Sequence, residues 1–227
     1  MTLFSLTGKR ILITQAGDFM GPALCRVFRE LGAEVIADHR PLLEPELPAA
    51  MINAAGPLDA LVANLSITAP STPAVAVADE EWRETFAHLV DPLPRLIRAV
   101  LPQMQERRAG KIVLMGSASA LRGMKRASTY SAARGAQLAY IQAVGVEAAP
   151  FNVQINAIAQ NFVDNPTYFP PEIQAKPAFQ ERLKREVPLG RLVSADEDAT
   201  LAAYLCSEAA NCFVGQVFPM CGGWAVR

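Results

Sequence analysis

Histidine and cysteine are scarce in this chain of 227 residues. Its two histidines, His39 and His88, lie far apart, and its four cysteines (Cys25, Cys206, Cys212 and Cys221) show no CxxC spacing. Those shortages argue against a histidine-rich or paired-thiolate metal centre and against a disulfide scaffold, so no metal is expected and both histidines read as structural. Charge of one sign is missing too: 21 basic and 22 acidic residues give a net charge of −1. They are scattered, and the longest charged run, 181–186, mixes signs as a solvated helix face does. Nothing in that distribution attracts nucleic acid or an anionic membrane surface. No apolar segment approaches a bilayer span or follows a cleavable signal pattern, which makes a reducing cytoplasm the expected location.

The most informative shortage is of glycine at two positions. The strand-to-helix turn near the amino terminus reads Thr14-Gln15-Ala16-Gly17-Asp18-Phe19-Met20-Gly21, where a dinucleotide-binding turn of this layout would carry glycine at 15 and 19. Those glycines let the backbone approach a pyrophosphate, and a side chain at either position takes the volume that the phosphates need. Gln15 and Phe19 therefore block the cradle, and no nucleotide cofactor is expected.

What is present is a hydrophobic fraction of 51%, enough for one compact domain over 1–227 with a sizeable core. Short β-rich runs at 10–14, 34–37, 60–63, 112–115, 153–158 and 216–219 alternate with helical patterns at 20–31, 81–106 (broken around Pro92 and Pro94) and 129–149. Strand, helix, strand in that order predicts a Rossmann-like α/β fold: a doubly wound parallel sheet with helices on both faces. Ligands of such sheets bind beyond the carboxyl ends of the strands, where strand order reverses, so the turn at 15–19, Gly116-Ser117 and the segment after Ile158 should meet. The proline-rich stretch 38–60 has room for one helix but not for the additional strand and helix of a full nucleotide-binding half. The irregular, aromatic stretch 165–177 suits a loop covering a site.

Downstream stand Ser117, Tyr130 and Arg134. Tyr130 and Arg134 are one helical turn apart and share a face, so the guanidinium can approach the phenol. A permanent positive charge there favours the phenolate, bringing a group of ordinary pKa about 10 nearer to useful base strength. Ser117, at the tip of its strand, can orient a substrate hydroxyl toward Tyr130, with Ser119 as the alternative serine.

On these residues, and on Leu61-Val62-Ala63-Asn64, Arg98-Ala99-Val100-Leu101-Pro102 and Gly222-Gly223, the chain resembles the short-chain dehydrogenases/reductases over nearly its whole length. Within that superfamily it is similar to the halohydrin dehalogenases. Glycines are lost at 15 and 19, Arg134 stands where reductases keep lysine, and Leu89 occupies the approximate place of their proton-relay asparagine. The resemblance implies a carbon–halide lyase that closes vicinal halohydrins to epoxides plus halide, reversible with azide, cyanide or nitrite, and no cofactor. It also implies a halide pocket walled by Phe19 and by Gln160, Asn161 and Phe162, whose backbone N–H groups can point at an anion. The simpler readings are that Phe19 plugs a vestigial site and that Asn161 merely caps the turn. Tyr168, Phe169 and Trp224 either line the substrate side or pack a subunit interface, while Met115 and Met124 read as core. The family likeness further implies a homotetramer using the helices at 81–106 and 129–149. Two rival functions remain: an NAD(P)-dependent reductase with a degenerate turn, and an inactive binding protein on the same scaffold.

Overall fold

Runs of aliphatic residues form central strands buried on both faces, as a parallel sheet sandwiched between helices requires. The computed structural model describes residues 4–226. In it β1 (Arg10–Ile13), β2 (Glu34–Ala37), β3 (Ala60–Asn64), β4 (Gly110–Ser117), β5 (Val153–Gln160) and β6 (Val217–Met220) form one sheet, ordered β2-β1-β3-β4-β5-β6. Every pair is parallel. The expected Rossmann-like α/β architecture is what the chain adopts.

Alternation along the strands divides the core in two. Leu12, Leu61, Ile112, Leu114 and Ile155 point to the face covered by α2 (Leu47–Ala55), α4 (Pro92–Arg107) and α5 (Ser128–Ala148). Ile11, Ile13, Val62, Val113 and Met115 point to the face covered by α1 (Gly21–Glu30) and α8 (Ala195–Leu205). Helix α3 (Asp79–Leu89) packs on α5, and α6 (Pro171–Gln174) and α7 (Pro177–Glu186) follow β5. Among the described residues no helix is long and apolar enough to cross a membrane.

Between β2 and β3 only α2 is built, as the length of 38–60 predicts, which leaves β2 as the sheet edge. The chain leaves β1 for β2 on one side and returns to β3 on the other, so strand order reverses at the carboxyl ends of β1 and β3.

Two expectations about proline need correcting. The break between α3 and α4 falls at Val90 and Asp91, and Pro92 opens α4. The stretch 165–177, expected to be irregular, contains α6 and the first residue of α7, with Pro171 and Pro177 at the helix starts. Proline lacks an N–H that a first turn would leave unpaired in any case, so a proline read as a loop marker can equally begin a helix.

Candidate active site

Strand β4 delivers Ser117 to the sheet's carboxyl edge, and α5 starts eleven residues later with Tyr130 and Arg134 on its inner face. All three are buried, at 8%, 7% and 3% exposure. The Ser117 hydroxyl lies 2.9 Å from that of Ser119 and accepts a bond from the Ser119 N–H at 3.2 Å. Ser119 thus supports Ser117, and Ser117 is the serine that lines the cavity described below.

The Arg134 guanidinium sits 5.0 Å from the centre of the Tyr130 ring. Its Nη1 donates to Leu65 O (2.9 Å), Met115 O (3.2 Å) and Gln137 Oε1 (2.9 Å), all neutral acceptors. Gln137 in turn donates to the carbonyl of Leu89, itself buried against Tyr130 and Ala133. Arg134 Nε is buried without a partner among the described residues. A guanidinium held this deep, facing dipoles and no carboxylate, keeps an unneutralised positive charge beside the phenol.

The turn after β1 carries side chains at two backbone positions that suit glycine. Gln15 (φ 43°) and Phe19 (φ 48°) both occupy the left-handed region, where glycine is the unstrained residue. Gln15 Oε1 accepts from the Ser66 N–H at 2.7 Å, closing the space between the β1 and β3 turns. Asn64 Nδ2 braces the same turn by donating to Gln15 O (3.0 Å) and Asp18 O (3.2 Å). Gly21 has no room for a side chain, because a Cβ there would lie 2.5 Å from the Ala16 carbonyl.

A cavity of about 280 Å³ opens at this edge. It is lined by Ser117, Tyr130 and Arg134 on one side, by Phe19, Tyr168 and Phe169 on another, and by Gln160, Asn161 and Phe162 at the end of β5. No carboxylate lines it among the described residues. Phe19 packs on Tyr168 with centroids 5.6 Å apart, and Phe162 stacks on Phe169 at 5.9 Å.

Three expectations about the cavity wall change in detail. The backbone N–H groups of the 160–162 turn were expected to face an anion, but the Phe162 N–H donates to Asn161 Oδ1 at 2.8 Å and the Asn161 N–H to Met220 O at 3.1 Å. The capping role of Asn161 is therefore real, and it accompanies a left-handed Phe162 at φ 51°. Trp224 does not line the cavity: it is buried behind Phe162, centroids 6.3 Å apart, with the Arg122 guanidinium 4.8 Å from its ring. Met124, read as core, is 37% exposed and lies on the cavity wall, whereas Met115 is core.

The Tyr168 hydroxyl donates to Ile67 O (3.0 Å) and accepts from the Ala69 N–H (2.9 Å), strapping the 66–69 loop over the cavity. Burial, with Tyr130 close by, pushes its pKa well above the ordinary tyrosine value, so it stays a neutral phenol. Sequence reasoning missed Ser66, Val163, Asn165 and Arg182, which also line the cavity. It missed Gln137 as well, although a polar residue three positions after Arg134 on the same helix face was a usable signal. His88 is bonded at Nδ1 to the Glu84 carbonyl (2.8 Å), a helix-internal contact, and His39 lies exposed beside Gly17. Among the described residues no cluster of His, Cys, Asp or Glu could hold a metal ion.

Comparison with known proteins places this geometry in a family. Residues 45–225 match the Enoyl-(Acyl carrier protein) reductase family. The chain belongs to that family of enzymes, within the short-chain dehydrogenase/reductase superfamily. Among curated relatives, the 3-oxoacyl-(acyl-carrier-protein) reductase of Pseudomonas aeruginosa is 29% identical over 248 residues, covering 96% of this chain and 98% of its own. The cis-4-hydroxycyclohexanecarboxylate dehydrogenase of Sinomonas cyclohexanicum is 28% identical, covering 94% and 95%. Among solved structures, one described as a dehalogenation enzyme superposes with a TM-score of 0.90 at 31% identity, over 97% of this chain and 99% of its own. A halohydrin dehalogenase bound to ethyl (2S)-oxiran-2-ylacetate superposes with a TM-score of 0.87 at 27% identity, covering 96% and 98%.

Proposed function

We propose that this protein converts vicinal halohydrins to epoxides and halide without a nucleotide. The observation that carries this reading is the filled turn: Gln15 and Phe19 stand in the left-handed positions, and Gln15 bonds Ser66 across the gap where phosphates would lie. The residues present do not fit a dinucleotide, and no step is derived through one. The similarity to two dehalogenase structures supports the same conclusion.

In the proposed reaction Ser117 holds the substrate hydroxyl toward Tyr130. The Tyr130 phenolate, held against the positive charge of Arg134, takes the hydroxyl proton. The oxygen's electron pair forms the new C–O bond as the C–halogen bond breaks, and the halide leaves with that bond's electrons. No hydride moves, and the reverse reaction opens an epoxide with halide, azide, cyanide or nitrite. Nucleophile and leaving group share one molecule, so fixing their alignment supplies much of the acceleration, with effective molarities of roughly 10⁵ to 10⁸ M for well-oriented cases. The rings of Phe19 and Phe162 and the Nδ2 of Asn161, whose Oδ1 is taken by the Phe162 N–H, form the wall that receives the ion. Tyr168 and Phe169 shape the substrate side, and Trp224 supports Phe162 from behind. Exposed Trp82 on α3 and Val146 on α5 support assembly as a homotetramer through those helices.

The names of the sequence relatives favour a second reading, a nicotinamide-dependent reductase. One assay separates them: halide release from a vicinal chlorohydrin with all nicotinamide removed. Release supports the dehalogenase. Oxidation that requires added nucleotide overturns it in favour of the reductase, and silence with every halohydrin and epoxide, together with no nucleotide-dependent oxidation, favours a binding protein.

A further inference from the structure

Behind the cavity wall stands a carboxyl group that the proposed chemistry does not use. Asp198 lies in the first turn of α8 at 0% exposure. Its Oδ2 accepts a bond from Gln160 Nε2, and its Oδ1 is buried with no partner among the described residues. Gln160 is the last residue of β5 and lines the cavity, and among the described residues the side-chain hydrogen bond it makes is the one from Nε2 to Asp198. One hydrogen bond is poor compensation for a fully buried carboxylate, and burial pushes the Asp198 pKa up to about 7.

No charged group shares in that shift, which burial raises and Gln160 alone opposes. On α8, Asp196 is paired with Arg26 of α1, and Glu197 with Arg191. Helix α1 also carries Cys25, Arg29 and Glu30, the last bonded to Arg26. The titratable groups of the other elements packed on α8 are Lys111 of β4 and Glu208 of the 208–210 turn, and Glu208 is held by Lys9. The cavity is also lined by Tyr130, Tyr168, Arg134 and Arg182, the last paired with Glu186.

We propose that Asp198 is a positioning residue that decides, through Gln160, whether the cavity offers a donor or an acceptor to an anion. As a carboxylate, Asp198 accepts from Nε2 and leaves the Gln160 carbonyl toward the cavity, where it repels an anion. As a neutral acid, Asp198 donates its O–H to Gln160 Oε1, and a half-turn of the amide puts Nε2 in the cavity as a hydrogen-bond donor. Anion affinity then falls as pH rises through the range in which Asp198 ionises. This rests on the proposed halide-releasing site but is tested without turnover.

The experiment is calorimetric titration of the full chain with sodium bromide from pH 5.5 to pH 8.5. The expected result is a bromide Kd weaker by about fivefold or more at the high end, the size of a modest coupling between two sites. Asp198→Asn, which cannot titrate, should remove that slope. Asp198→Leu is the second variant, since an apolar residue suits this site if the amide disrupts packing. Gln160→Leu should leave binding weak and flat. The same pH slope in wild type and in either Asp198 variant overturns the proposal, as does the absence of bromide binding at every pH. Failure to release halide from any halohydrin, with the Asp198-dependent slope intact, would sink the proposed reaction and leave this role standing.

Discussion

The two ends of the cavity have been treated in opposite ways. On the β4 and α5 side, Ser117, Tyr130 and Arg134 converge with the guanidinium 5.0 Å from the phenol ring, supported by Leu65 O, Met115 O and Gln137. On the β1 and β3 side, a turn shaped for glycine carries Gln15 and Phe19 at φ 43° and 48°, each at a cost of about 1 kcal/mol for an L-residue in the left-handed region. The bond from Ser66 N to Gln15 Oε1 offsets part of that cost, since a typical hydrogen bond contributes about 1 kcal/mol. In the proposed reading, the contrast is that of a cofactor site converted by side chains placed where the turn favours glycine. On that reading Ser117, Tyr130 and Arg134 carry the proton chemistry, and Gln15 and Phe19 fill the space that phosphates would need.

The largest expected effect tests the retained side. Tyr130→Phe removes one hydroxyl and should lower the halide-release rate at least about 10²-fold, the low end for a positioned acid or base, with an unchanged unfolding temperature. Substantial residual turnover would put the base elsewhere. Arg134→Lys keeps a charge but replaces the planar guanidinium beside the phenol ring with a more strongly hydrated ammonium on a shorter side chain, so the pH optimum of halide release should move upward. An unchanged pH profile would assign Arg134 to structure alone.

The filled side makes smaller predictions. Gln15→Gly relieves backbone strain and loses one hydrogen bond, each worth about 1 kcal/mol, so stability in urea should change little. The double variant Gln15→Gly with Phe19→Gly should still fail to bind NADPH in a calorimetric titration, because only α2 stands between β2 and β3. Micromolar binding by that variant would mean that two side chains alone kept the nucleotide out. The smallest effect lies far from the chemistry. Arg191 and the Ser194 backbone hold Glu197 down to about 2, so its contribution to stability is present above the ordinary value near 4.5 and lost as pH falls through 2. Glu197→Gln should flatten the acid limb of a melting-temperature profile while halide release at pH 7 is unchanged.

Much of this was legible in the sequence. The missing glycines at 15 and 19 and the shortness of 38–60 stated the altered half, and the helical spacing of Tyr130 and Arg134 stated the retained half. Details set by three-dimensional context were not legible. Whether the Phe162 N–H faces an anion depends on the Asn161 rotamer and the left-handed turn, and there it is taken by Asn161 Oδ1. Trp224 reads from sequence as either a substrate-side or an interface residue, and packing of the carboxyl-terminal segment puts it behind Phe162. Asp198 follows Asp196 and Glu197 in an acidic stretch, and only the packing of α8 on α1 distinguishes the buried member from its exposed neighbours.

A crystal grown in bromide with NADPH present tests the central claim most directly. The account predicts one anomalous peak in the cavity between Phe19, Tyr130 and the 160–163 turn, with no ordered nucleotide. NADPH lying in order across Gln15 and Phe19, with its nicotinamide facing Tyr130, would contradict it.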